Sequence, residues 1–100
     1  MSDRAFSALG NNATVAAGVV SVSAALPGTP AGGQFVRVYN GTAAPAFWRA
    51  GAGTQVSVLT DTFIGPGNTE VFGLPADADT VGLILASGAG NVYFQRGAGL

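Results

Sequence analysis

Apolar and polar residues alternate in short runs along this chain, and turn signals interrupt them roughly every 8 to 12 residues. The runs rich in Val, Phe, Tyr and Thr are residues 14–24, 34–40, 46–49, 54–60, 69–74, 80–86 and 91–96. Between them fall Pro27-Gly28, Gly32-Gly33, Asn40-Gly41, Gly51 to Gly53, Gly65-Pro66-Gly67-Asn68, Leu74-Pro75 and Gly88 to Asn91. Period-two alternation with such punctuation predicts an all-β fold. The expectation is a small antiparallel β-sandwich of about seven strands, Greek-key or jelly-roll-like, over residues 14–100 as a single domain. Residues 1–13 read as an extended N-terminal arm.

Successive strand residues point to opposite faces. The adjacent large residues Phe47-Trp48, Tyr93-Phe94, Val71-Phe72, Phe63-Ile64 and Leu83-Ile84-Leu85 therefore cannot share one core. Several strands are apolar on both faces, so something must cover the second: the arm, another copy, or a different protein. A weak repeat lays residues 36–53 on 82–99 without a gap, each half reading as strand, small-residue turn, aromatic strand and Gly-Ala-Gly. It suggests two related hairpin-containing units, with Asn40-Gly41 as a hairpin turn.

Composition sharpens the point about surfaces. Of 100 residues, 9 are charged (4 Arg, 4 Asp, 1 Glu), with no Lys, His or Cys, against about 25% charge in a typical domain. At this length about a third of the unfolded chain's surface stays exposed after folding. It must be coated largely with Ala, Gly, Thr, Ser and some large apolar groups. Protein interfaces are likewise poor in Lys and Glu and rich in aromatics and Arg. The composition leans toward assembly.

The same absences remove most chemistry. There is no His or Cys for a nucleophile pair or a zinc site, and no Lys for a P-loop or Schiff base. The acids Asp3, Asp61, Glu70, Asp77 and Asp79 carry no mark of a catalytic pair, so no enzyme and no cofactor are expected. Asp77 and Asp79 read as polar-turn residues before calcium ligands. A net charge of -1 argues against nucleic acid and anionic membrane. The start lacks a signal-peptide core and no apolar run is long enough for a membrane helix, so the chain is expected to be soluble and to begin near Met1. Trp48 beside Arg49 reads as a packing or interface anchor, with sugar stacking as the alternative.

Three stretches carry a resemblance: Phe35 to Arg49 with its Asn-Gly-Thr, Ile64 to Pro75 with Pro-Gly before Glu-Val-Phe, and Val92 to Leu100 with its Gly-Ala-Gly. Over about residues 35–100 the chain resembles capsid decoration (cement) proteins of tailed bacteriophages. The resemblance implies a virion protein, made in the host bacterial cytoplasm, on the outside of the shell. There it would bridge major capsid protein subunits and self-associate as a dimer or trimer. The alternative is a head-fibre or tail accessory, or a host-surface carbohydrate-binding β module. Candidate contact residues are Phe6, Leu9, Phe47, Trp48, Arg49, Tyr93, Phe94, Arg96 and Leu100.

Overall fold

The computed structural model describes residues 7–8, 13–26, 35–75 and 77–98. Strands form where branched and aromatic side chains alternate with small or polar ones. They are β1 (Ser7–Ala8), β2 (Ala13–Ala17), β3 (Val22–Ala25), β4 (Phe35–Asn40), β5 (Ala46–Gly51), β6 (Thr62–Ile64), β7 (Thr69–Gly73), β8 (Thr80–Leu85) and β9 (Gly90–Ala98). Two antiparallel sheets result. In the first, β1 and β2 lie one after the other along the same edge of β9, followed by β4 and β7. The second runs β3-β8-β5-β6. Each sheet thus has four strand positions, and the expected sandwich is present, but with nine strands among the described residues in place of about seven.

The pairing is nested. β5 pairs with β6, β4 with β7, β3 with β8 and β2 with β9. The chain behaves as one long hairpin whose tip is the β5–β6 connection, rolled so that β9 meets β4 and β8 meets β5. This is the winding of a jelly roll. Apart from β1–β2 and β5–β6, each successive pair of strands changes sheet.

Several expectations need correction. The run 14–24 is two strands, because the chain leaves the first sheet at Gly18, whose carbonyl accepts from the Leu85 amide at 2.8 Å, and enters the second at Val22. The described part of the expected arm, Ser7–Ala8, is a strand paired with Gly97 and Ala98, and Ala13 already belongs to β2. Asn40-Gly41 is no hairpin turn, since β4 and β5 lie in different sheets. The repeat holds over β5 and β9, where Trp48 and Phe94 correspond and both point inward. Over β4 and β8 it is one residue out, since it lays buried Val36 on outward-facing Gly82, and a one-residue slip reverses every side chain.

Residues 54–60 are not a strand at all. Their backbone amides find side chains instead: Gln55 N donates to Ser23 Oγ at 3.1 Å and Ser57 N to Ser21 Oγ at 2.8 Å. The segment lies across the outer face of the second sheet. There a Cβ on Gly82 would come within 2.9 Å of the Gln55 Cβ and carbonyl oxygen. Gly82 is what lets the segment lie flat. Part of the apolar second face is therefore covered by the chain itself.

The core sits between Val36, Val38, Val92 and Phe94 of the first sheet and Ala46, Trp48, Ile64, Val81, Leu83 and Leu85 of the second. Two buried polar side chains close its ends. At one, Asn40 is 0% exposed and fills its bonding capacity. Its Nδ2 donates to Ala44 O (2.8 Å) and Ile64 O (3.1 Å), and its Oδ1 accepts from Thr42 N (3.0 Å) and Thr42 Oγ1 (2.7 Å). At the other, Arg96 is 1% exposed and its Nη2 donates to Ala78 O. Removing the amide in Asn40→Ala strips the partner from Ile64 O and Thr42 N in a dry site. The expected cost is about 2–4 kcal/mol of stability, read by denaturant unfolding. A loss below about 1 kcal/mol would mean that water or relaxation replaces the network.

Candidate functional site

Strand alternation divides the adjacent aromatics between inside and outside. Trp48 is 4% exposed and meets Phe72 and Phe94 edge-on, at centroid distances of 5.1 and 5.6 Å. Its neighbour Phe47 faces outward and is half-buried against Phe63, 5.6 Å away. Phe94 is fully buried, while Tyr93 faces outward. Arg49 is exposed and donates to Val56 O at 3.2 Å. Arg96, one of the candidate contact residues, is buried and donates to Ala78 O of its own chain. Phe6, Leu9 and Leu100 lie outside the described residues.

Two outer surfaces remain. On the second sheet, Ile84, Phe47 and Phe63 form one cross-strand row. Phe63 is 54% exposed, and the adjoining segment adds exposed Val56, Val58 and Leu59. Ser57 Oγ shares its one hydrogen between Phe47 O (2.9 Å), which pins the segment to the row, and Asp61 Oδ2 (3.0 Å), and Asp61 closes the turn by also accepting from Val58 N. Arg49 and Asp61 support the crossing segment and its turn, and the apolar row is half-buried at Ile84 and Phe47 and exposed at Phe63.

The first sheet presents a different surface. Thr14, Tyr93, Tyr39 and Thr69 stand in one cross-strand row, with Gln95 and Arg37 in the next. The tyrosine rings stack at 5.7 Å with 26° between planes. Arg37 Nη2 donates to Gln95 Oε1 at 2.6 Å. These residues, without Thr14, line an open depression of about 510 Å³. Gly41 borders it: a Cβ there would lie 2.9 Å from the Asn91 carbonyl oxygen, 3.1 Å from Tyr93 Cε1 and 3.2 Å from Tyr39 Cε2. Both rings therefore pass close over a position that only glycine leaves clear. The sequence reading noted the alternation at Tyr93 but missed Tyr39, Arg37 and Gln95. They become one surface only through the β4–β9 pairing, which adjacency in sequence does not reveal.

Asn40-Gly41-Thr42 also fits the N-glycosylation pattern, but the Asn40 amide is buried and bonded inside the fold. Among the described residues no cluster of three His, Cys, Asp or Glu is placed to hold a metal. Comparison with known proteins finds no matching family model, no matching curated protein and no matching solved structure.

Two ionisable groups are perturbed at the Arg96 end. Burial lowers the Arg96 guanidinium below its ordinary value, opposed by the charge of Asp79. Asp79 lies below the usual carboxylate value of 3.8, chiefly because Thr80 Oγ1 donates to it, with the Gly53 amide next. A carboxylate depressed on folding contributes stability that is complete above its unfolded pKa and fades as pH falls through the lower folded value. Acid titration of unfolding should therefore show a loss of stability beginning below about pH 4 that Asp79→Asn reduces. An unchanged acid limb in that variant would remove Asp79 from the explanation.

Proposed function

We propose that this chain is a structural virion protein of a tailed bacteriophage. It binds the outer surface of the capsid and stabilises the shell by bridging major capsid protein subunits. The observation that carries the reading is the apolar row Ile84–Phe47–Phe63 on the second sheet, half-buried at its first two members and exposed at Phe63, with exposed Val56, Val58 and Leu59 beside it. Large apolar groups gathered on a rigid face are the usual core of a protein contact. The jelly-roll body supports the reading by being stiff, so little conformational entropy is lost on docking. The resemblance of residues 35–100 to cement proteins supplies the setting. Self-association as a dimer or trimer would multiply modest contacts into tight attachment through effective concentration.

Under this reading the protein performs no chemistry and acts by occupying junctions of the shell. Purified protein should bind emptied capsids to saturation and raise their resistance to heat or osmotic shock. Phe63→Ser should weaken that binding about tenfold or more while leaving the β spectrum and unfolding midpoint nearly unchanged. Absence of binding to shells, with rupture unaffected, would end the proposal. Binding that ignores Phe63→Ser would move the contact to another face. Sugar binding as a second reading no longer has Trp48 available as a platform, because that ring is enclosed between the sheets.

A further inference from the structure

We propose that the outer face of β9 and β4 is a carbohydrate-binding site, with a pyranose ring seated on Tyr39 and Tyr93. This goes beyond capsid attachment and uses the opposite sheet from the Phe63 row. One face of a pyranose carries C–H bonds, slightly positive, and the face of an aromatic ring is negative. A sugar therefore stacks on an aromatic platform while its hydroxyl groups project sideways. The two tyrosines supply such a platform: their rings lie 26° from parallel with centroids 5.7 Å apart, and Tyr39 is 41% exposed.

The surroundings match the sideways hydroxyls. Exposed Thr14 and Thr69 end the tyrosine row, and Arg37 and Gln95 stand beside it. This rim mixes donors with acceptors, as sugar hydroxyls do. A proline-rich peptide, which also favours aromatic grooves, offers mainly carbonyl acceptors and would bring no donors to the Thr14 and Thr69 hydroxyl oxygens. Nucleic acid fits less well. Among the described residues at outward positions of β2, β4, β7 and β9, Arg37 is the one charged side chain. The depression of about 510 Å³ falls within the size range of small-molecule sites, about 300–1,000 Å³. Gly41 lets the chain pass close beneath both rings, since a Cβ there would collide first with the Asn91 carbonyl at 2.9 Å and would also crowd the two rings. A residue outside the strands thus leaves room for the platform that the strand register builds.

The test uses the full chain and three defined probes: cellohexaose, maltohexaose and a hexamer of galacturonic acid, with decaproline as the competing class. NMR titration should give saturable shifts of the Tyr39 and Tyr93 ring signals with at least one hexamer. Tyr93→Ala should weaken that binding about tenfold or more, and Phe63→Ser should leave it unchanged. Preference for the galacturonate would assign Arg37 to a sugar carboxylate, a refinement of the same site. The proposal is overturned if none of the hexamers shifts either ring, or if the shifts persist when the ring is removed. It is equally overturned if only decaproline saturates the two tyrosines. Should Tyr93→Ala fail to fold, Tyr39→Ala at the more exposed ring decides in its place, with the same weakening expected and unchanged binding overturning the proposal. Capsid binding is measured separately, so either reading can fail without the other.

Discussion

The contact on which the rest of this structure depends is Trp48 of one sheet set edge-on against Phe94 and Phe72 of the other. Most other core side chains are aliphatic, with Val, Ala, Leu and Ile dominating, so these three rings supply the large volumes that span the two sheets. Edge-to-face aromatic pairs add about 0.5–1.5 kcal/mol each beyond the area they bury. The contact also fixes orientation. Once Trp48 and Phe94 point inward, strand geometry sends Phe47, Arg49, Tyr93 and Gln95 outward. The two outer surfaces are therefore consequences of how the core is filled.

The scarcity of charge acts on the same plan. Each described arginine bonds a neutral acceptor within its own chain: Arg37 to Gln95, Arg49 to Val56 and Arg96 to Ala78. Arg49 holds down the segment that crosses Gly82, and Arg96 closes one end of the sandwich. Asn40 closes the other with four bonds, so the roll is tied at both ends by polar groups that the dry interior makes costly to leave unpaired. Charge in this chain supports turns and ends more than it decorates the surface. What remains outside is apolar on one sheet and polar-aromatic on the other.

Fold class was legible because alternation and turn residues are local signals. Pattern alone places the strands 34–40, 69–74, 80–86 and 91–96 to within one or two residues. The failures share a physical cause. Residues 54–60 alternate as a strand does, yet side chains of Ser21, Ser23 and Asp61 take their amides, and that competition depends on tertiary proximity. Gly18 to Ser21 turn the chain between sheets without Pro-Gly or Asn-Gly, so the break inside 14–24 left no mark. Asn40-Gly41 carries the strongest short hairpin signal in the chain, but the buried network around Asn40 uses it to change sheets. Adjacency showed that aromatics must be split between faces. Which member went inward depended on the opposing sheet, and so did the meeting of Tyr39 with Tyr93.

The division between core and surface at Trp48 decides both functional readings, because it sets which aromatics are free to meet a partner. Trp48 is the single tryptophan of the chain, so its fluorescence reports that division directly. The account predicts blue-shifted emission and weak acrylamide quenching in the native protein, with both changing sharply on unfolding. Native emission at the position of the unfolded chain, with acrylamide quenching to match, would contradict it.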